Sequence, residues 1–204
     1  MSTTTIIRKS LKRSNRRMME IVFPIIQNEI KYFREGKFES VEGENDEHNK
    51  FLDRFACIDF IYHHPKDGKI YISSRCEYSR EPRRRFAIRT RRENKDGSKG
   101  NETEYYKLMK LTEKDLIRPD FIFQANIVKH ESIEIGLVRT DELVLFINKF
   151  KQNLKETRKK DKEDGSLAWF YYIDWDVLKK HQVPFKLMEH SLPYSNWKGK
   201  NGRK

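Results

Sequence analysis

No apolar run in this chain approaches the length of a membrane span. The nearest, Ile21 to Ile26, is broken by Pro24, whereas a spanning helix needs about 20 apolar residues. No signal-peptide core with a cleavage site is visible, so a soluble, cytoplasmic protein is expected. Cysteine is scarce: Cys57 and Cys76 are the whole complement. There is no CxxC and no Cys/His metal spacing, which argues against a disulfide framework and the familiar zinc modules. Both thiols are expected to be buried and reduced. The six histidines are scattered, without a helical H-x-x-x-H pair. P-loop, dinucleotide-binding glycine pattern, nucleophile elbow and internal repeat are all missing, so the common nucleotide and hydrolase signatures do not apply.

What the chain does have is charge. Lys and Arg number 43 against 31 Asp and Glu, a formal net charge of +12. Such an excess points to an anionic partner, nucleic acid first among them. Thirteen Phe, nine Tyr and three Trp argue against wholesale disorder. At 204 residues the chain is long enough to bury a core. A basic flexible arm is expected over 1–13, a single α+β domain over 14–183 and an irregular basic tail over 184–204.

Hydrophobic spacing places the elements. Val22, Ile26, Ile30 and Phe33 mark one helical face between Ser14 and Glu35, which Pro24 kinks or restarts. Residues 35–53 are acidic and read as a loop with room for one turn of helix. Cys57–His63 reads as a strand, His64–Gly68 as a turn, and Lys69–Tyr78 and Arg85–Arg91 as two more strands of an antiparallel meander. A polar loop over Arg92–Thr103 precedes a short helix, Glu104–Leu111. Phe121–Lys129 and Ser132–Arg139 form a hairpin. Thr140 then caps a helix running to Leu154. A charged break spans 155–165. Leu167–Ile173 is an aromatic strand, and Asp174 caps a last short helix. The result is an α+β chain with a mostly antiparallel or mixed sheet flanked by helices.

One carboxylate, Asp59, stands within the apolar strand. Burying it is costly unless it is paired, hydrogen-bonded or metal-bound. Across the hairpin Ser73, Arg75 and Glu77 share a face, so Asp59 should lie opposite Ser73 or Ser74 and near Arg75. The pair reads either as a cross-strand ion pair or as a site, with Asp59 on a metal and Arg75 on a phosphate.

The order helix, strand with a lone Asp, hairpin, third strand, helix and strand over about 18–128 resembles the PD-(D/E)XK nuclease superfamily. The resemblance implies a restriction-endonuclease-like α-β-β-β-α-β core with a C-terminal β-α extension. It implies a nuclease-like, Mg²⁺-dependent hydrolase acting on DNA or RNA. Asp59 matches that family's Asp, and Glu29 is the candidate for its helical Glu, giving Asp59 and Glu29 as metal ligands. Ser73 and Arg75 stand where the family places Glu and Lys. Glu77 is the alternative acid. The same scaffold could also serve a non-catalytic nucleic-acid- or protein-binding factor, and a homodimer or partner protein is compatible with it.

The strongest basic run lies at Ser79–Gly100. Arg83, Arg84 and Arg85 lead into a strand on which Arg85, Arg89 and Arg91 share one face, with Phe86 and Ile88 toward the core. Such a row suits a phosphate backbone, or alternatively a solvated edge strand protected by charge. The basic residues of 149–162 follow a helix end, where they compensate its dipole. Trp169, Phe170, Tyr171, Tyr172 and Trp175 are read as core aromatics, with base stacking as the other option.

Overall fold

A computed structural model describes residues 14–41, 47–100, 103–114, 116–160 and 165–192. The arm expected over 1–13 and the tail beyond 192 lie outside the described residues. The fold is α+β, with a mixed six-stranded sheet flanked by helices and a second sheet of three strands.

Pro24 decides the form of the first helix. It has no N–H to donate back along the helix and its ring crowds the preceding turn. The chain answers with a π-helical turn, Met18–Val22, before α1, Phe23–Glu29. Met18, Val22, Phe23 and Ile26 bury their side chains against the large sheet.

The large sheet contains β1 (Lys37–Ser40), β2 (Phe60–His64), β3 (Gly68–Ser79), β5 (Phe121–Val128), β6 (Ser132–Arg139) and β9 (Phe185–Ser191), in that spatial order. The β2–β3 hairpin forms as expected, with Phe60 opposite Ile72. So does the β5–β6 hairpin. The expected meander does not continue. Strand β4 (Arg85–Glu93) leaves the sheet, and β5 pairs with β3 in parallel. β4 instead pairs with β8 (Leu167–Asp174), which pairs with β7 (Glu156–Lys160). The switch has a physical basis. Phe86 and Ile88 need an apolar partner and find it in Tyr171 and Ile173 of β8.

Helix α2 (Glu47–Ala56) and strand β1 occupy the stretch expected to be a loop. Likewise β7 lies in the charged break, and β9 replaces the start of the irregular tail by pairing with β6. All five residues of β7 are exposed, so no hydrophobic alternation announces it. Helix α3 spans Glu104–Glu113, α4 spans Thr140–Phe150 and α5 spans Trp175–Lys180. Thr140 begins α4 rather than capping it, and its hydroxyl makes no cap bond.

A small cluster joins Leu52 and Ala56 of α2 to Val41, Ile58 and Ile61. Two larger cores pack against the large sheet. One joins α1 to Phe60, Ile72, Phe123 and Ile135. The other joins Ile122 and Val138 to α3, α4, α5 and the inner face of the small sheet. Trp175 is buried in the second core, directly over Gly136. A Cβ on Gly136 would come within 2.5 Å of the Trp175 ring. Gly136→Ala is therefore expected to cost about 1–3 kcal/mol by overpacking, measured as a lower urea midpoint with an unchanged slope.

Candidate functional site

The departure of β4 opens a cleft of about 650 Å³ between β3 and the small sheet. Its floor is the β3 face carrying Ser73, Arg75 and Glu77. One wall is the outer face of the small sheet, where Arg89, Phe170 and Lys159 project. The head of α3 and the end of α2 close the rest, supplying Glu104, Lys107 and Asp53. Arg17 and Arg83 complete the basic lining.

Asp59 does not sit within a strand. Helix α2 ends in a left-handed turn at Cys57, φ 57°, and Asp59 follows just before β2 begins. A non-glycine residue in that conformation costs about 1–2 kcal/mol, held here by the surrounding packing. The Asp59 backbone still joins the sheet: its N–H donates to Ile72 O at 2.9 Å and its O accepts from Val41 N at 3.0 Å. This anchoring turns the carboxylate into the cleft. Oδ2 accepts the backbone N–H of Ser74 at 2.5 Å.

Burial pushes the Asp59 carboxyl up to about 7. The Ser74 N–H opposes that rise, the carboxylates of Glu104 and Asp53 add to it, and Arg75 opposes it in part. The diagonal Asp59–Arg75 ion pair expected from the hairpin does not form. Arg75 pairs instead with Glu104, Nη2 to Oε1 at 2.7 Å. The other oxygen of Glu104 accepts the backbone N–H of Arg89 at 3.1 Å. Burial alone would raise the Glu104 carboxyl, but Arg75 and Arg89 outweigh it and hold it below its ordinary value. Of the four carboxylates that line the cleft, Glu104 is thus held as an anion and Asp59 is balanced near neutrality.

Of the residues singled out in the sequence, Asp59, Ser73, Arg75, Glu77, Arg83 and Arg89 line this one cleft. Arg83 is already committed to Glu77 at 2.9 Å. Arg85 lies on the same face of β4 as Arg89, with its guanidinium 3.8 Å above the Tyr172 ring. Three others are not brought in. Arg84 ties the β3–β4 connection to Glu134 at 3.0 Å and to Glu189 at 2.7 Å. Arg91 is turned away by a β-bulge. Arg89 pairs with Phe170 but Arg91 with Trp169, and one residue of slip exchanges the faces. Arg91 therefore stacks on Trp169 at 3.9 Å, on the side opposite Arg85 and Arg89. Glu29 lies 4.0 Å from His190 on β9, at the far edge of the sheet. Asp59 and Glu29 are therefore not brought together.

Sequence reading missed Glu104, Lys107, Asp53 and Lys159. An acid in the first turn of a helix is expected from the dipole alone, so Glu104 carried no distinguishing signal. Lys159 belongs to a strand that charge patterning concealed. Burial in the cleft holds its ammonium below the ordinary value; Glu77 opposes this, while Arg83, Arg85 and Arg75 reinforce it.

Mg²⁺ prefers octahedral oxygen coordination with one or two carboxylates. The carboxylates that line the cleft are Asp53, Asp59, Glu77 and Glu104; Glu77 is paired with Arg83, and Glu104 is held on both oxygens by Arg75 and Arg89. Among the described residues no three His, Cys, Asp or Glu side chains form a group that could hold a metal. Among the described residues, too, no helix is long and apolar enough to cross a membrane. The chain matches no protein-family model, no curated protein and no solved structure.

Two stability predictions follow from the carboxylates. Because the folded state raises the Asp59 carboxyl from 3.8 to about 7, its contribution is full below pH 4 and lost as pH rises through 7. Asp59→Asn should be more stable than the parent at pH 8, by at least about 1 kcal/mol, with the advantage vanishing toward pH 4 in denaturant titrations. Glu104→Ala leaves the Arg75 charge in the cleft without its partner. It should cost about 3 kcal/mol at pH 7, read as a lowered thermal midpoint.

Proposed function

We propose that this chain is a nucleic-acid-binding protein that seats a phosphodiester backbone in the cleft between β3 and the small sheet. The observation that carries this reading is the cleft lining itself. Arg17, Arg75, Arg83, Arg89, Lys107 and Lys159 face one cavity beside the ring of Phe170. Cations converging on a groove neutralise phosphates and release their counterions, whichever base is present. Lys159 adds a physical incentive: its ammonium is depressed first by burial and further by Arg83, Arg85 and Arg75, and an anion entering the cleft offsets that repulsion. Aromatic rings under the arginines, Phe170 and Tyr172, keep the guanidinium planes extended across the surface.

A second reading, a phosphodiesterase on a restriction-endonuclease-like core, is favoured by one observation. Asp59 is balanced near pH 7 in the same cavity as Glu104 and Lys107. A carboxylate with that affinity for protons can take one from an attacking water, while lysine and arginine stabilise charge developing on phosphorus. The element order of helix, β2, β3, β4, α3 and β5 supports that core. The departure of β4 from the large sheet and the position of Glu29 beside His190 weigh against it.

Binding is tested by fluorescence anisotropy with labelled DNA and RNA across a salt series. Lys107→Ala and Lys159→Ala should each weaken binding roughly tenfold at low salt and flatten the salt dependence by about one phosphate contact. Absence of binding at low salt would sink the proposal. Incubating the same substrates with Mg²⁺, Mn²⁺ or EDTA separates the readings. Cleavage abolished by Asp59→Asn establishes the phosphodiesterase, and unbroken substrate with intact binding leaves the binding protein alone.

A further inference from the structure

The bulge that removes Arg91 from the cleft builds something on the other side of β4. A second cavity, of about 470 Å³, lies there beside the first turn of α3. Arg91, Arg92 and Lys99 give it positive charge; among the described residues that line it the acid is Glu93, 3.6 Å from Arg91 Nη2. Tyr106, 56% exposed, presents its ring to it. Such a site offers cations for a phosphate and an aromatic face for a base.

The cavity wall is built. Residues 93–99 form a closed turn rather than the open loop suggested by their Gly, Asn and Lys content. Glu93 bridges Lys99. Asn94 N donates to Ser98 O at 2.9 Å, and Gly97 takes φ 82° to complete the turn. Gly100 N then donates to Arg92 O at 2.9 Å. A Cβ on Gly100 would press on the Arg92 side chain at 2.9 Å, so the glycine permits the close approach that holds Lys99 beside β4.

The two cavities meet. Thr103 lines both. Its hydroxyl donates to Thr90 O at 2.9 Å, and this contact at the head of α3 divides the cleft from the second pocket. Arg91 and Tyr106 thus line a pocket that shares Thr103 with the cleft. Resting on the nucleic-acid reading above, we infer that this pocket binds a nucleotide of a single-stranded extension, its base stacked on Tyr106 and its phosphate on Lys99 and Arg91. The substrate class is then nucleic acid with a single-stranded tail or branch.

The test compares a short blunt duplex with the same duplex bearing a single-stranded tail of about six nucleotides. The tail should raise affinity roughly tenfold, as one stacked base does. Tyr106→Ala should abolish that gain and leave blunt-duplex binding unchanged. Tyr106→Phe should keep it. Lys99→Ala should make the gain less sensitive to salt. Nucleoside monophosphate should compete with the tail better than inorganic phosphate does. Equal binding of tailed and blunt duplexes overturns the inference, and so does a tail gain that survives Tyr106→Ala. Equal competition by inorganic phosphate overturns the stacking role of Tyr106. If neither duplex binds, it is the nucleic-acid reading of the cleft that fails, and the pocket inference falls with it.

Discussion

The Glu104 carboxylate holds the cleft together. With one oxygen on the Arg75 guanidinium and the other on the Arg89 backbone, it links the head of α3 to strands of two different sheets. Each link has a cost and a compensation. Arg75 is placed on a sheet face where its charge would be poorly solvated, and Glu104 loses water at a crowded helix start. Their mutual attraction and the added N–H bond offset both losses. The pair also sets the electrostatics of its neighbour. Burial raises the Asp59 carboxyl toward neutrality, the Ser74 N–H opposes the rise, and the Glu104 charge adds to it.

Strand β4 translates that arrangement into a surface. By leaving the large sheet it exposes the β3 face that a meander would have extended, and it brings Arg89 and Phe170 across from Arg75. Gln124 secures the crossing, accepting the Ala87 N–H at 2.8 Å through its side chain. Glu134 secures its beginning, taking Arg83 N and the Arg84 side chain. Much of the arginine run is therefore spent on joining strands, and only part of it faces the cleft. The bulge then distributes the remainder between two cavities, giving β4 two charged faces instead of one.

Much of the fold was legible from periodicity. The β2–β3 and β5–β6 hairpins, the helix at Glu104, the core positions Phe86 and Ile88 and the last short helix all follow from apolar spacing and turn residues. Elements without such spacing were not legible. β7 is exposed along its whole length and β1 has only four residues, so neither shows the alternation that marks a half-buried strand. Within the site, Asp59 and the Ser73, Arg75 and Glu77 face could be found because a charge interrupts an apolar pattern. Glu104, Lys107 and Lys159 could not, because acids at helix starts and lysines on exposed strands have ordinary explanations.

By itself the sequence determined composition, charge and local periodicity: an α+β chain with excess positive charge, an isolated Asp in an apolar segment of a hairpin and a run of arginines. These are properties of single residues and near neighbours, and they survive without knowledge of partners. The tertiary structure decided which charges meet. It paired Arg75 with Glu104 rather than with Asp59, placed Glu29 at the opposite edge of the sheet and turned Arg91 away from Arg89. Those outcomes depend on one residue of register and on which strand buries Phe86 and Ile88. Both are settled by packing between segments distant in the chain.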